Sequence, residues 1–140
     1  MIARSLTPLA LALFPAALVA QGGAVLPFAA ASPNIYNGNC PAKIEFVGRI
    51  TTTVAGTKVD YRWERSNGDS GKLLHAVIGK PPAAGAPIDT SRATTTQSVP
   101  SDIWHLALPS QSGDFWEVLH IISPFDIRSA HAKVSVNCKD

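Results

Sequence analysis

The sequence predicts an all-β fold, an antiparallel β-sandwich of about seven short strands preceded by a signal peptide. Three observations carry the sandwich. Several segments alternate apolar and polar residues with the period of two that a half-buried strand requires. No segment shows a helical apolar stripe. Turn residues recur roughly every 8–15 positions between the alternating segments.

The first element is of a different composition from the rest. Of the first 31 residues 22 are apolar, against 42 of the remaining 109. Arg4 supplies a short positive region, and Leu6 to Ala20 is an apolar run interrupted by Pro8 and Pro15. A membrane-spanning helix takes roughly 20 residues, so this shorter run behind one charge is expected to be a secretory signal, residues 1–20. Two cleavage points are open: after Ala20, before Gln21-Gly22-Gly23, or as late as Ala31, where Ala29-Ala30-Ala31 gives the small-residue pattern. Residues 21–39, rich in Gly, Pro, Ala and Asn and without a period, are expected to be a flexible leader, and 40–140 the folded domain. Asn37-Gly38-Asn39 before Cys40 lacks the residues that precede a lipidated cysteine, so no membrane anchor is expected to survive cleavage.

Within the domain, Ala42, Ile44, Phe46, Gly48 and Ile50 alternate with Lys43, Glu45, Val47, Arg49 and Thr51. Val59, Tyr61 and Trp63 alternate with Asp60, Arg62 and Glu64. Ala130, Ala132, Val134 and Val136 alternate with His131, Lys133, Ser135 and Asn137. Each set predicts one dry and one wet face. Leu73–Ile78, Ala93–Val99, Ile103–Leu108 and Phe115–Ile122 complete the expected strands, with Pro100 breaking or bulging between two of them. Ala55-Gly56-Thr57 and Ser66-Asn67-Gly68-Asp69 are turns, and the proline-rich stretch Gly79–Ile88 is a loop. Parity places Trp104 with Leu106 and Leu108 in the core.

Export places Cys40 and Cys138 where disulfides persist, and two cysteines without a third favour one bridge between them. Free thiols or a link between chains are the alternative. If the flanking strands run regularly, both cysteines face the apolar side. The two lie 98 positions apart, a separation for which chain entropy gives roughly 4–5 kcal/mol.

Cys40-Pro41, Phe46-x-Gly48-x-Ile50, Val59-x-Tyr61-x-Trp63-x-Arg65-Ser66-x-Gly68, Ser123-Pro124 and the closing Cys138 resemble a family of bacterial exported immunoglobulin-like domains. The resemblance covers Cys40 to Cys138 and is most specific at Tyr-x-Trp-x-Arg-Ser-x-Gly. It implies a two-layer antiparallel immunoglobulin-like sandwich with a cystine near the chain ends and no catalytic residues. Antibody domains differ, because their first cysteine precedes the tryptophan by roughly a dozen residues. Here Trp63 follows Cys40 by 23.

Several chemistries are excluded or disfavoured. One domain's worth of residues rules out a multidomain enzyme or a TIM barrel. Twelve basic residues against ten acidic ones leave no surplus for a dedicated nucleic-acid binder. Gly68-Asp69-Ser70-Gly71 copies the string around a trypsin-like nucleophile, but all the histidines (His75, His105, His120, His131) follow Ser70, the reverse of that family's order. A turn explains the string without chemistry. The histidines form neither His-x-His nor His-x-x-x-His, and the single methionine is Met1, so no metal or cofactor is expected. Gly71-Lys72 lacks the rest of a P-loop. The carboxylates Asp60, Glu64, Asp114, Glu117 and Asp126 are scattered, so nothing in the sequence makes a catalytic pair of them.

Phe115 and Trp116, beside Ser112-Gly113-Asp114, are the remaining binding candidates, since an exposed aromatic pair near a loop could anchor a protein or a glycan. The expected protein is thus a secreted or periplasmic, non-catalytic binding or structural module that meets a partner through a sheet edge or a loop. The alternatives are a subunit of a surface or fimbrial-type assembly and a metal-binding sandwich that uses its histidines.

Overall fold

The computed structural model describes residues 23–80, 83–85 and 94–139. The expected signal peptide at 1–20 and half of the proline-rich loop lie outside them. Among the described residues nine strands follow in order: β1 (Val25–Ser32), β2 (Ile35–Asn39), β3 (Ala42–Thr52), β4 (Thr57–Arg65), β5 (Leu74–Ile78), β6 (Thr95–Leu106), β7 (Gly113–Ser123), β8 (Ile127–Arg128) and β9 (Ala132–Lys139). A 3₁₀ turn at Pro109–Gln111 precedes β7.

The strands form two sheets. One runs β1-β3-β6. The other runs β2-β9-β7-β4-β5, with β8 paired to β7. All pairings are antiparallel except β2 with β9, which is parallel. The two inner faces share one core, as sheet-on-sheet packing requires. The alternating sets point inward as their parity predicts: Ala42, Ile44, Phe46 and Ile50 from β3, Val59, Tyr61 and Trp63 from β4, and Ala132, Val134 and Val136 from β9 are all buried, whereas Ala130, expected among them, precedes β9 and is exposed. Each large aliphatic side chain removed from water contributes about 1.5–3 kcal/mol.

Residues 21–39 are the main correction. The stretch expected to be a leader supplies β1 and β2. All eight residues of β1 pair with β3, from Val25 opposite Thr52 to Ser32 opposite Glu45. β1 shows no period because both its faces are apolar: Val25 is buried while Leu26 and Phe28 are exposed. β2 is short and polar, and its partner lies about a hundred residues away in the chain, with Tyr36 opposite Val136. Neither feature leaves a local signal. Cleavage after Ala31 would remove all of β1 except Ser32, whereas cleavage after Ala20 leaves the strand whole.

Pro100 bulges rather than breaks its strand. The register shifts between Phe46/Asp102 and Gly48/Val99, so Val47 faces two residues of β6. The segments expected as Ala93–Val99 and Ile103–Leu108 are therefore one strand. Leu108 lies beyond its end and is exposed, whereas Trp104 and Leu106 are buried. The displaced Pro100 carbonyl accepts the Trp63 indole N–H from the other sheet at 3.2 Å.

Candidate functional site

Three places gather chemistry-bearing side chains. The first lies between the sheets. Arg65 ends β4 and pairs in register with Glu117 of β7, so both side chains point the same way. They share parity with Trp63 and Leu119, which makes that direction inward. Asp102 comes from β6 in the opposite sheet. Arg65 donates to Asp102 Oδ2 from Nε at 3.1 Å and from Nη2 at 2.9 Å, and Nη2 also reaches the Ile103 carbonyl at 3.1 Å. Its guanidinium stands 5.1 Å from the Trp104 ring, which packs against Phe115 at 5.0 Å.

Glu117 is fully buried. Its Oε1 is 3.2 Å from Arg65 Nε, but neither carboxyl oxygen completes a hydrogen bond of good geometry. Burial pushes its pKa up to about 8; the Asp102 carboxylate beside it adds to the rise, and Arg65 opposes it.

The second place is the outer face of β4, β7 and β8. His120 is buried there although it points away from the core. Its Nδ1 meets Glu64 Oε1, and its Nε2 meets Asp126 Oδ1 at 2.6 Å. Glu64 also receives Arg62 Nε at 3.2 Å and Arg128 Nε at 3.4 Å. Burial works against the Glu64 charge, but the hydrogen bonds from His120, Arg128 and Arg62 win and hold its pKa below the usual value. The His120 hydrogen bond likewise lowers Asp126. His120 is thus held between two carboxylates, one at each ring nitrogen. Nearby, His75 Nδ1 and Asp60 Oδ1 form an exposed pair at 2.6 Å beside a shallow groove lined by Lys58 and Val77.

The third place is the expected Phe115–Trp116 pair. Neighbouring strand residues point to opposite faces. Phe115 is half-buried against the core cluster and Trp104. Trp116 faces outward and stacks on His131, with ring centroids 3.9 Å apart and planes 7° from parallel. The two rings therefore do not make one joint patch, which corrects the expectation.

Cys40 and Cys138 form the disulfide, with Cα atoms 5.2 Å apart. Cys40 lies between β2 and β3, so the bridge ties that junction to the last strand and not the first strand to the last. The Gly68-Asp69-Ser70-Gly71 string is a turn: the Gly68 amide donates to Arg65, the Arg65 amide to Asp69, and the Gly71 amide to Trp63. Among the described residues, no group of three or more His, Cys, Asp and Glu is arranged to hold a metal ion.

Sequence reasoning missed the roles of Glu117 and His120. The signal for Glu117 was an acidic residue at the inward parity of an apolar strand. His120 gave none, because its carboxylate Glu64 comes from another strand and Asp126 from the following turn.

These features define an immunoglobulin-like β-sandwich domain. No family model and no curated protein matches the chain. Among solved structures it is similar to a CARDB domain from Pyrococcus furiosus, crystallised in complex with di-metal ions, at a TM-score of 0.55 and 13% identity over 83% of this chain and 90% of that one. At that identity the likeness shows the fold alone.

Proposed function

We propose that the chain is an exported, non-catalytic immunoglobulin-like binding module that meets its partner with the outer face of the β1-β3-β6 sheet. The observation that carries this is the exposure of Leu26 (56%) and Phe28 (53%), two apart on one strand. Arg49 of β3 lies 5.9 Å from the Phe28 ring, and Val47 lies half-buried beside Ala30 in the next register position. An apolar pair flanked by a cation is the composition of an interface centre. By contrast, the charges around His120 on the other sheet are paired with one another.

Edge pairing is a weaker route. Pro27 gives β1 no N–H to offer an incoming strand, β6 is bulged at Pro100, and β2 and β5 are five residues each. Export is supported by the apolar start behind Arg4, by the cystine, and by the motif resemblance. Among the described residues no helix is long and apolar enough to cross a membrane.

The test places a photo-crosslinking residue at position 28 and, separately, at position 133 on the other sheet. Irradiation in an extract of the cell envelope and medium should give a discrete adduct at 28, abolished by Leu26→Ser, and none at 133. Adducts at both positions, or at 133 alone, would remove the β1 face from the proposal.

A further inference from the structure

The binding face proposed above makes no use of the cluster between the sheets. There, two carboxyl groups share one guanidinium. Arg65 directs its Nε and Nη2 protons to Asp102 and the Ile103 carbonyl. Glu117 is left at 3.2 Å with no aligned donor and no exposed surface. With both acids ionised, one negative charge would lie in the core without a donor or water, and a buried carboxyl so placed takes a proton instead. The charged groups facing Glu117 are Arg65 from β4 and Asp102 from β6. Trp104 lies against Arg65 and against Phe115, two residues before Glu117.

We propose that Arg65, Asp102 and Glu117 form a proton-gated clasp between the two sheets: one proton held between the carboxyls closes that end of the sandwich, and its removal loosens the packing of Trp104. The neutral acid donates to Asp102, and Asp102 in turn holds Arg65 across the sheet interface. Ionising Glu117 converts that donor into a second anion competing for the same guanidinium.

The test follows the Glu117 carboxyl carbon and the Trp104 indole N–H by NMR in the whole folded domain between pH 5.5 and 9.5. Both should titrate together with a midpoint near 8. Asp102→Asn should move the Glu117 midpoint down, because it removes the repulsion and leaves a neutral amide, a weaker acceptor and a new donor, where the carboxylate stood. Glu117→Gln should abolish the Trp104 titration. A Glu117 carbon that titrates in the ordinary carboxylate range, or a Trp104 signal that still titrates in Glu117→Gln, would overturn the clasp. If Glu117→Gln does not fold, the wild-type carboxyl titration decides the matter by itself.

Discussion

Trp63 closes over the backbone of Gly48. A β-carbon at position 48 would come within 2.8 Å of the Trp63 ring and 2.9 Å of Val99. Gly48 is therefore the gap in β3 into which the tryptophan of the opposite sheet fits. Trp63 is held there by the Pro100 carbonyl. Gly48→Ala should destabilise the domain by about 1–3 kcal/mol, the usual range for overpacking a filled core. Urea unfolding should show a lower midpoint at an unchanged slope; equal stability would mean that Trp63 moves aside freely.

The disulfide should contribute measurably. Thiol titration of the unreduced protein in denaturant should find no free groups. Cys40→Ala should cost about 2–5 kcal/mol, because the bridge restricts a long loop in the unfolded chain. An unchanged melting temperature would show that the link is not structural.

Glu117 gives stability a pH dependence of defined sign. Its pKa is higher folded than unfolded, so its contribution is complete below the unfolded value of 4.5 and is lost as pH rises toward about 8. Between those values the folded state holds a proton that the unfolded state has released. The slope there is at most about 1.4 kcal/mol per pH unit. The melting temperature of wild type relative to Glu117→Gln should fall across pH 5 to 8 and level off above. A parallel pair of curves would refute the assignment.

On the outer face the sign is opposite. Glu64 and Asp126 have lowered pKa values when folded, so their contribution is present above the unfolded values and lost as pH falls through the folded ones. His120→Ala removes the buried ring that joins them and should cost roughly 1–3 kcal/mol at neutral pH, through lost hydrogen bonds to a half-buried carboxylate. Asp126→Asn should leave the melting temperature nearly unchanged, because Asp126 is largely exposed. Thermal melts at pH 7 compare the two; equal losses would show that Asp126, and not the buried pair with Glu64, carries the network.

Much of the architecture was legible because the core strands alternate without interruption. From Ala42 to Phe46 in β3, Val59 to Trp63 in β4 and Ala132 to Cys138 in β9 every second residue is apolar, and a pleated backbone turns that pattern directly into an inner and an outer face. Pro100 was readable as a break or a bulge, since it has no N–H for the ladder, but only the pairing with β3 decides between the two. Phe115 and Trp116 adjoin in sequence but not in space, because successive residues of a strand point to opposite faces.

The amino-acid order by itself determined the all-β class and the inward residues of the central strands, and it favoured a bridge between the two cysteines, because each follows from a local period or from a count. Tertiary structure alone decided that residues 25–39 form strands, since β1 and β2 draw their order from partners far along the chain and not from their own pattern. It also decided which charges meet. Arg65, Asp102 and Glu117 lie on three strands, and only the stacking of one sheet on the other gives a guanidinium two carboxyls to hold.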